Sequence, residues 1–376
     1  MAGQSENDCV ISGAGPTGLT LALELARRGK SVRIFDRSVG PRPLDQSRAL
    51  GILPATLAAL EPSGVTSRLL TSGLKIEHAR VLVNGVHKFT IPLERAEGTY
   101  PFILSLEQGH TERILIEALQ QCGVIVEWER PVVGIDQTGE LPALLVDVGS
   151  RCETVTGDMV AGCDGVRSLV RQKLGIAFDG DKLETQFSLA DVELNESFPN
   201  DALLADLRDK GVLAQIPLPN GKVRLIAAEP SVQSRADISN RIKSVGWTSD
   251  FSIAFHHANV LSKDGYFLAG DAAHVHSPVG GRGMNTGIED AAWLAHLYCE
   301  HRLEDYQKLR LPVAKSVIRQ TRNLTNFATN SSRFRSFVMG RLVPQLFRFA
   351  YVQKRAAQQL LAYDMLFPDW TDRDRH

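Results

Sequence analysis

Gly13, Gly15 and Gly18, within Gly13-Ala14-Gly15-Pro16-Thr17-Gly18, are spaced as a turn that cradles a dinucleotide. Gly13 permits a tight turn, Gly15 lets a pyrophosphate approach the backbone, and Gly18 allows a helix to pack closely on a strand. Pro16 and Thr17 belong to the same cofactor-binding motif, and the amide end of the helix that follows favours phosphate charge. Asp36 is an acid suited to accept hydrogen bonds from the adenosine ribose, with Arg37 beside it to cover the adenine. A second signal lies far downstream, in Ala269-Gly270-Asp271-Ala272-Ala273-His274 followed by Pro278-Val279-Gly280-Gly281-Arg282-Gly283-Met284-Asn285. Asp271 is expected to accept from a ribityl hydroxyl, and the glycines from Gly280 to Gly283 to bring backbone amides near a planar ring. The first signal alone says that some dinucleotide binds. The pair points to FAD rather than to an ordinary NAD site.

These residues need particular elements to carry them. Cys9-Val10-Ile11-Ser12 reads as a buried parallel strand ending in the glycine turn. Leu19, Leu21, Ala22, Leu25 and Ala26 recur at helical spacing, and Ser31 to Asp36 reads as the next strand, completing a βαβ unit. Tyr266 to Asp271 is an apolar strand that delivers its carboxylate to a carboxyl edge, where ligands gather in such sheets. A helix is predicted from about Thr286 through Ile288, Ala291, Leu294 and Leu297, its N-terminus stabilising negative charge on a reduced ring. A flexible surface loop is the bland alternative for Gly280–Gly283.

Between the two signals stands Val160-Ala161-Gly162-Cys163-Asp164-Gly165-Val166-Arg167-Ser168-Leu169-Val170-Arg171. With this segment the chain resembles the class A flavoprotein monooxygenases, the para-hydroxybenzoate hydroxylase family and its phenol hydroxylase relatives. Asp164, Gly165, Ser168 and Arg171 match the family's middle motif, and all three motifs stand in family order over roughly residues 8 to 325. The resemblance implies that Gln46-Ser47-Arg48-Ala49-Leu50-Gly51 brings Arg48 to the pyrophosphate and the nicotinamide cofactor, and that Gln108 contacts the flavin's linker. A surface salt bridge for Arg48 and a helix cap for Gln108 are the alternatives. It also implies chemistry: NAD(P)H reduces the FAD, and O2 forms a flavin C4a-hydroperoxide that hydroxylates an aromatic or phenolic small molecule. Epoxidase, reductase or halogenase chemistry, or a flavin-binding sensor without turnover, are the alternatives. The Trp-x-Trp-x-Ile-Pro signature of flavin halogenases is missing.

Arg282 departs from the family, many of whose members carry Gln there. A fixed cation could stabilise reduced flavin or bind an acidic substrate group; it could equally pair with Glu289 or Asp290. Arg282, His257 and Pro278 are the candidate catalytic residues, with His256 as the alternative phenol-directed base. Phe187, Gln215, Phe251, Phe255, His256 and His257 are candidate walls of a substrate site, although aromatics at such spacing also suit a plain core.

The expected fold is α/β: a Rossmann-like FAD-binding domain (1–75, 100–181 and 259–304), an inserted β-sheet substrate domain (76–99 and 182–258) and a C-terminal helical segment (305–376) packing on the FAD-binding domain. With 43% hydrophobic and 23% charged residues the composition suits a globular enzyme, and a net charge of −1 offers no general attraction for nucleic acid. Five scattered cysteines show neither disulfide nor zinc spacing, and metal binding is not expected. A polar start without signal-peptide regions suggests a cytoplasmic protein. Phe337 to Val352 is apolar and basic enough for peripheral membrane contact, but Pro344 breaks it and a packed helix pair is the expectation.

Overall fold

The computed structural model describes residues 7–44, 49–208, 211–329 and 337–363. Its fold is the expected α/β type. The helices that position the site are α1 (Pro16–Ala26), α2 (Pro54–Leu60), α3 (Val65–Ser72), α4 (Gln108–Gln121), α5 (Leu169–Lys173), α6 (Arg282–Cys299) and α7 (Tyr306–Thr329).

Apolar runs at Cys9–Ser12, Val32–Phe35, Met159–Gly162 and Tyr266–Leu268 form parallel strands of a five-stranded sheet, and Ser262–Lys263 adds an antiparallel edge. Ser12 is level with Phe35 and Gly162, and Gly162 with Leu268. The glycine turn, Asp36, Asp164 and Asp271 therefore all leave the sheet at one carboxyl edge. Leu19, Leu21 and Leu25 of α1, Leu115 and Leu119 of α4, and Ile288 and Leu294 of α6 are buried in the same core. Each such side chain contributes about 1.5–3 kcal/mol by leaving water.

The second layer is an eight-stranded sheet in the order His274–Val275, Ile242–Ala258, Phe178–Leu194, Val223–Ala227, Gly211–Pro217, Ala202–Arg208, His78–Val83 and Val86–Pro92. Its first strand comes from the Asp271 segment, with His274 opposite His257 and Val275 opposite His256. The two sheets thus share one short stretch of chain. In the sheet's middle, Asp191 faces Arg224 in register, and the buried guanidinium makes a two-pronged pair with the carboxylate at 2.7 and 2.8 Å.

The C-terminal segment divides: Tyr306–Thr329 packs on the core of the five-stranded sheet as expected, with Tyr306 buried there and Arg310 paired with Asp290, whereas residues 337–363 go elsewhere. Met339, Val343 and Phe347 lie on Val81, Val83, Phe89 and Leu207 of the large sheet, with the Phe89 and Phe347 rings stacked at 4.2 Å. The helix Ala350–Leu360 continues this layer over Leu93 and Ala96. The large sheet presents apolar side chains that the core of the five-stranded sheet leaves uncovered, and this tail covers them. No helix among the described residues is long and apolar enough to cross a membrane.

Candidate functional site

The glycine turn interlocks with the other motifs. Gly13 has a φ of +102°, and a Cβ there would lie 2.4 Å from the Cys163 carbonyl oxygen; a Cβ on Gly18 would meet the Gly13 oxygen at 1.9 Å. Gly15 instead has no described atom within 4 Å of where its Cβ would sit, which leaves room for a phosphate at the N-terminus of α1. Pro16 is the first residue of that helix. Thr17 packs its hydroxyl against Gly270 and Gly287, both of which would clash with it at 2.4 Å if they carried a Cβ. Its side chain is therefore a spacer between α1, α6 and the Gly270 turn.

Asp36 accepts the Ala14 N–H at 2.8 Å through one oxygen and the Ser38 N–H at 2.8 Å through the other. The carboxylate thus shapes the turn, and each oxygen retains a lone pair toward the cleft. Arg37 is exposed. Gln108, the first residue of α4, donates to Glu112 at 2.7 Å; burial pushes the Glu112 carboxyl up, against the pull of Gln108 and Arg42. Arg48 lies outside the described residues.

Asp164 accepts the Leu169 and Val170 amides at 2.7 and 3.2 Å through Oδ2, while its buried Oδ1 has no partner among the described residues. Ser168 caps α5 by accepting the Arg171 N–H. Arg171 donates to the Ala272 and Val166 carbonyls, both at 2.8 Å, and lies 3.7 Å from the centre of the Phe178 ring. The middle motif is in this way bolted to the Asp271 turn and to the start of a long strand.

Gly270, at φ +61°, turns the chain so that Asp271 stands at the sheet edge. The Asp271 residue is open to solvent, yet protein atoms crowd its carboxyl and push it above the usual range, with His274 opposing. Openness and crowding together describe a group on the floor of a cleft. Behind it the Gly270 N–H donates to Asp290 at 3.2 Å, His274 Nε2 lies 2.6 Å from the same oxygen, and Arg310 donates to the other oxygen at 2.7 Å. Burial opposes ionisation of Asp290, but Arg310 and His274 hold its carboxyl below the ordinary range. This buried His274, Asp290 and Arg310 network went unread in the sequence; its signal was two acids, Glu289 and Asp290, within an apolar helical stripe.

The helix expected from about Thr286 begins four residues earlier. Gly280 and Gly281 are left-handed, at φ +93° and +65°, and the chain enters α6 at Arg282. Arg282, Gly283 and Met284 therefore occupy its first turn, where amides have no partner within the helix. No described atom lies within 4 Å of a Cβ built on Gly283. Asn285 uses its side chain on the protein: its Oδ1 accepts the Leu53 N–H at 2.8 Å, and its Nδ2 donates to the Gly51 and Gly281 carbonyls at 2.8 and 2.6 Å. Pro278 is exposed at the head of the turn, its carbonyl accepting the Gly281 N–H. Arg282 is buried and donates to the Gln359 carbonyl at 3.1 Å, while Arg310 takes Asp290 and lies 3.6 Å from Glu289. Pairing with Glu289 or Asp290, one of the two alternatives for Arg282, is made instead by Arg310, which the fold brings in from α7.

Opposite this turn stands an apolar wall. Phe187, Ile253, Phe255 and Ile318 are buried together, with Phe251 and Val279 of the turn packed against them. Gln215 is not part of it. Gln215 pairs in register with Leu225, whose cluster with Val223, Val232 and Ile238 covers the opposite face. His256 and His257 are half-buried at the sheet edge, with Nδ1 toward the Phe178 and Ala258 carbonyls at 3.3 and 3.0 Å. His276, another residue the sequence reading passed over, has Nδ1 3.1 Å from the Ser277 carbonyl and a buried Nε2 without a partner among the described residues. Burial first, then His274 and Arg282, lower its pKa to about 4, so it is neutral near pH 7.

A family model described as an FAD binding domain matches residues 6–321. The chain belongs to this FAD-binding family. Among similar family members, 6-methylpretetramide 4-monooxygenase of Streptomyces rimosus is 35% identical over 343 residues, covering 84% of this chain and 61% of its own length. This chain therefore spans under two thirds of that relative. A flavin-dependent monooxygenase of Mycobacteroides abscessus is 30% identical over 356 residues, covering 85% of this chain and 74% of that protein. The fold matches p-nitrophenol 4-monooxygenase of Pseudomonas putida with a TM-score of 0.85 at 21% identity, over 96% of this chain and 99% of that one.

The residues fit FAD, the family's cofactor. Two helix N-termini, those of α1 and α6, open beside Gly15 and Gly283, where no described residue blocks close approach, and the Asp164 oxygen without a partner among the described residues and the open Asp271 lie at the same sheet edge.

Proposed function

We propose that this protein is an FAD-dependent monooxygenase that uses NAD(P)H and O2 to hydroxylate an aromatic or phenolic small molecule. The observation that carries the reading is the meeting of two layers: the strand ends bearing Asp36, Asp164 and Asp271 stand level, and the turn after Asp271 reaches the Phe187 and Phe251 wall through Val279. Relatives named as monooxygenases support it.

When bound, FAD supplies the redox chemistry, accepting hydride from the nicotinamide and activating O2. The chain's part is to bind, orient and exclude water. The first-turn amides of Arg282, Gly283 and Met284 place partial positive charge where a reduced ring gathers negative charge. Asp271 and Asp164 hold hydroxyl groups of the cofactor, Asp36 and Arg37 the adenosine end, and Gln108 and Arg48 the linker and pyrophosphate. The buried Asp290 network keeps the Gly270 turn and α6 in one geometry. Phe251, half-buried and backed by the buried Phe187, offers an apolar surface to an aromatic ring and keeps water from it. His257 is the phenol-directed base in this reading: with Nδ1–H given to the Ala258 carbonyl, Nε2 is left to accept a proton. Pro278 lines the approach to the turn.

The test is a panel of phenolic compounds supplied with NAD(P)H to FAD-loaded protein. A stimulated rate of NAD(P)H oxidation with a product heavier by one oxygen atom is expected. Peroxide as the sole product across the panel, or incorporation of chloride, would overturn the assignment.

A further inference from the structure

We infer that Arg282 is a positioning residue that latches the helix Ala350–Leu360 across the join between the flavin-binding layer and the large sheet, closing the substrate side of the cleft. The inference rests on the reading of that cleft as an FAD and aromatic-substrate site.

Arg282 is the first residue of α6, at the rim of the cleft, and only 6% of it is exposed. Its guanidinium donates to the carbonyl of Gln359, in the last turn of the C-terminal helix. The carbonyls of a last turn have no partners within the helix and carry partial negative charge, so a buried cation is stabilised there. The same helix is held to the large sheet by other means. Ala357 and Leu361 are buried with Leu93 and Ala96, and Leu360, Ile91 and Ile103 pack against that cluster. Lys354 pairs with Glu97, the Tyr100 N–H donates to the Tyr363 hydroxyl at 3.3 Å, and Gly98 is pressed so closely on the Tyr363 ring that a Cβ would lie 2.2 Å from it.

Ile103 closes the circuit. Its side chain touches Gly51, whose carbonyl accepts from Asn285 in the first turn of α6. The C-terminal helix therefore bears on the flavin turn twice, through the cluster that holds Ile103 beside Gly51 and through Arg282, while its other attachments are to residues 93–100, which follow the sheet hairpin. A glutamine, the residue the family resemblance leads one to expect at position 282, has a shorter side chain and no charge to set against the helix end. The departure at this position is thereby explained by a partner that lies 77 residues further along the chain.

Amide hydrogen exchange of the FAD-loaded full chain tests this directly. A hydrogen bond from a charged donor is strong enough that Arg282→Gln should speed exchange of residues 350–361 roughly 10-fold or more, with Arg282→Lys, which keeps the charge, recovering most of the protection. Leu361→Ala loosens the same helix while leaving Arg282 itself in place. It should reproduce the faster exchange and, with a phenolic substrate that the wild type hydroxylates, the same shift from hydroxylated product to hydrogen peroxide as Arg282→Gln. Unchanged exchange of this helix in Arg282→Gln would remove the latch. Faster exchange in Leu361→Ala with no gain in peroxide would remove its role in closing the cleft. The exchange result stands even if no hydroxylation is found, so failure of the latch and failure of the proposed activity are told apart.

Discussion

His276 holds its proton toward the Ser277 carbonyl and buries a bare Nε2 beside His274 and Arg282, both of which oppose a charge on its ring. The consequence for stability has a definite sign. In the unfolded chain this histidine takes up a proton near pH 6.5, whereas in the folded protein it does so near pH 4. Between these values the unfolded state binds more protons, so the contribution is present above pH 6.5 and is lost as pH falls toward 4. The loss should amount to roughly 3 kcal/mol. Urea unfolding of His276→Asn from pH 7 to pH 4 should show a shallower decline in stability than the wild type; parallel declines would count against the assignment. At this scale, Gly13, Gly15, Gly18, Asp36 and Asp271 stood out because their chemistry and spacing are local, whereas Asp164 was singled out by the family resemblance. The partners of Arg282 were not, because nothing near it in the chain distinguishes Glu289 from a carbonyl at the end of a remote helix.

The first turn of α6 shows why an element boundary can escape a reading by periodicity. Glycine costs about 1 kcal/mol per helical position, and a Gly-Gly-Arg-Gly run looks like loop. Contacts from elsewhere decide it: Asn285 is tied to Gly51 and Leu53, and Gly287 lets α1 come close through Thr17. Gly287→Ala should therefore destabilise the protein by about 1–3 kcal/mol, since the new methyl meets the Thr17 hydroxyl. Adding Thr17→Ala removes that hydroxyl and should restore more than half of the loss in urea unfolding. Simple additivity of the two changes would refute the contact. The inserted segment 182–258 was legible as sheet, but the face each side chain takes was not: Gln215 shares its side with Leu225 because of cross-strand register.

At the level of the whole molecule, the two sheets are joined by the His274–Val275 strand, by Arg171 and by the C-terminal layer. Such a body should unfold as one unit. Calorimetry of the apo protein should give a single transition, and FAD at 100 times its dissociation constant should stabilise it by about 2.7 kcal/mol and raise its midpoint as a whole. Two transitions, only one of them moved by FAD, would show that the layers are independent.

The order of the motifs, the strands that end in them, and hence the α/β fold and the FAD site were determined by the sequence itself, because turns, amphipathic helices and buried strands write their demands into neighbouring residues. The tertiary structure decided what distance in the chain conceals: that Asp290 is held by Arg310, that the C-terminal residues cover the large sheet, and that Arg282 faces the end of their last helix. Those choices depend on which surfaces meet after collapse, where burial selects the partner for a charge or an apolar face and sequence spacing carries no record of the result.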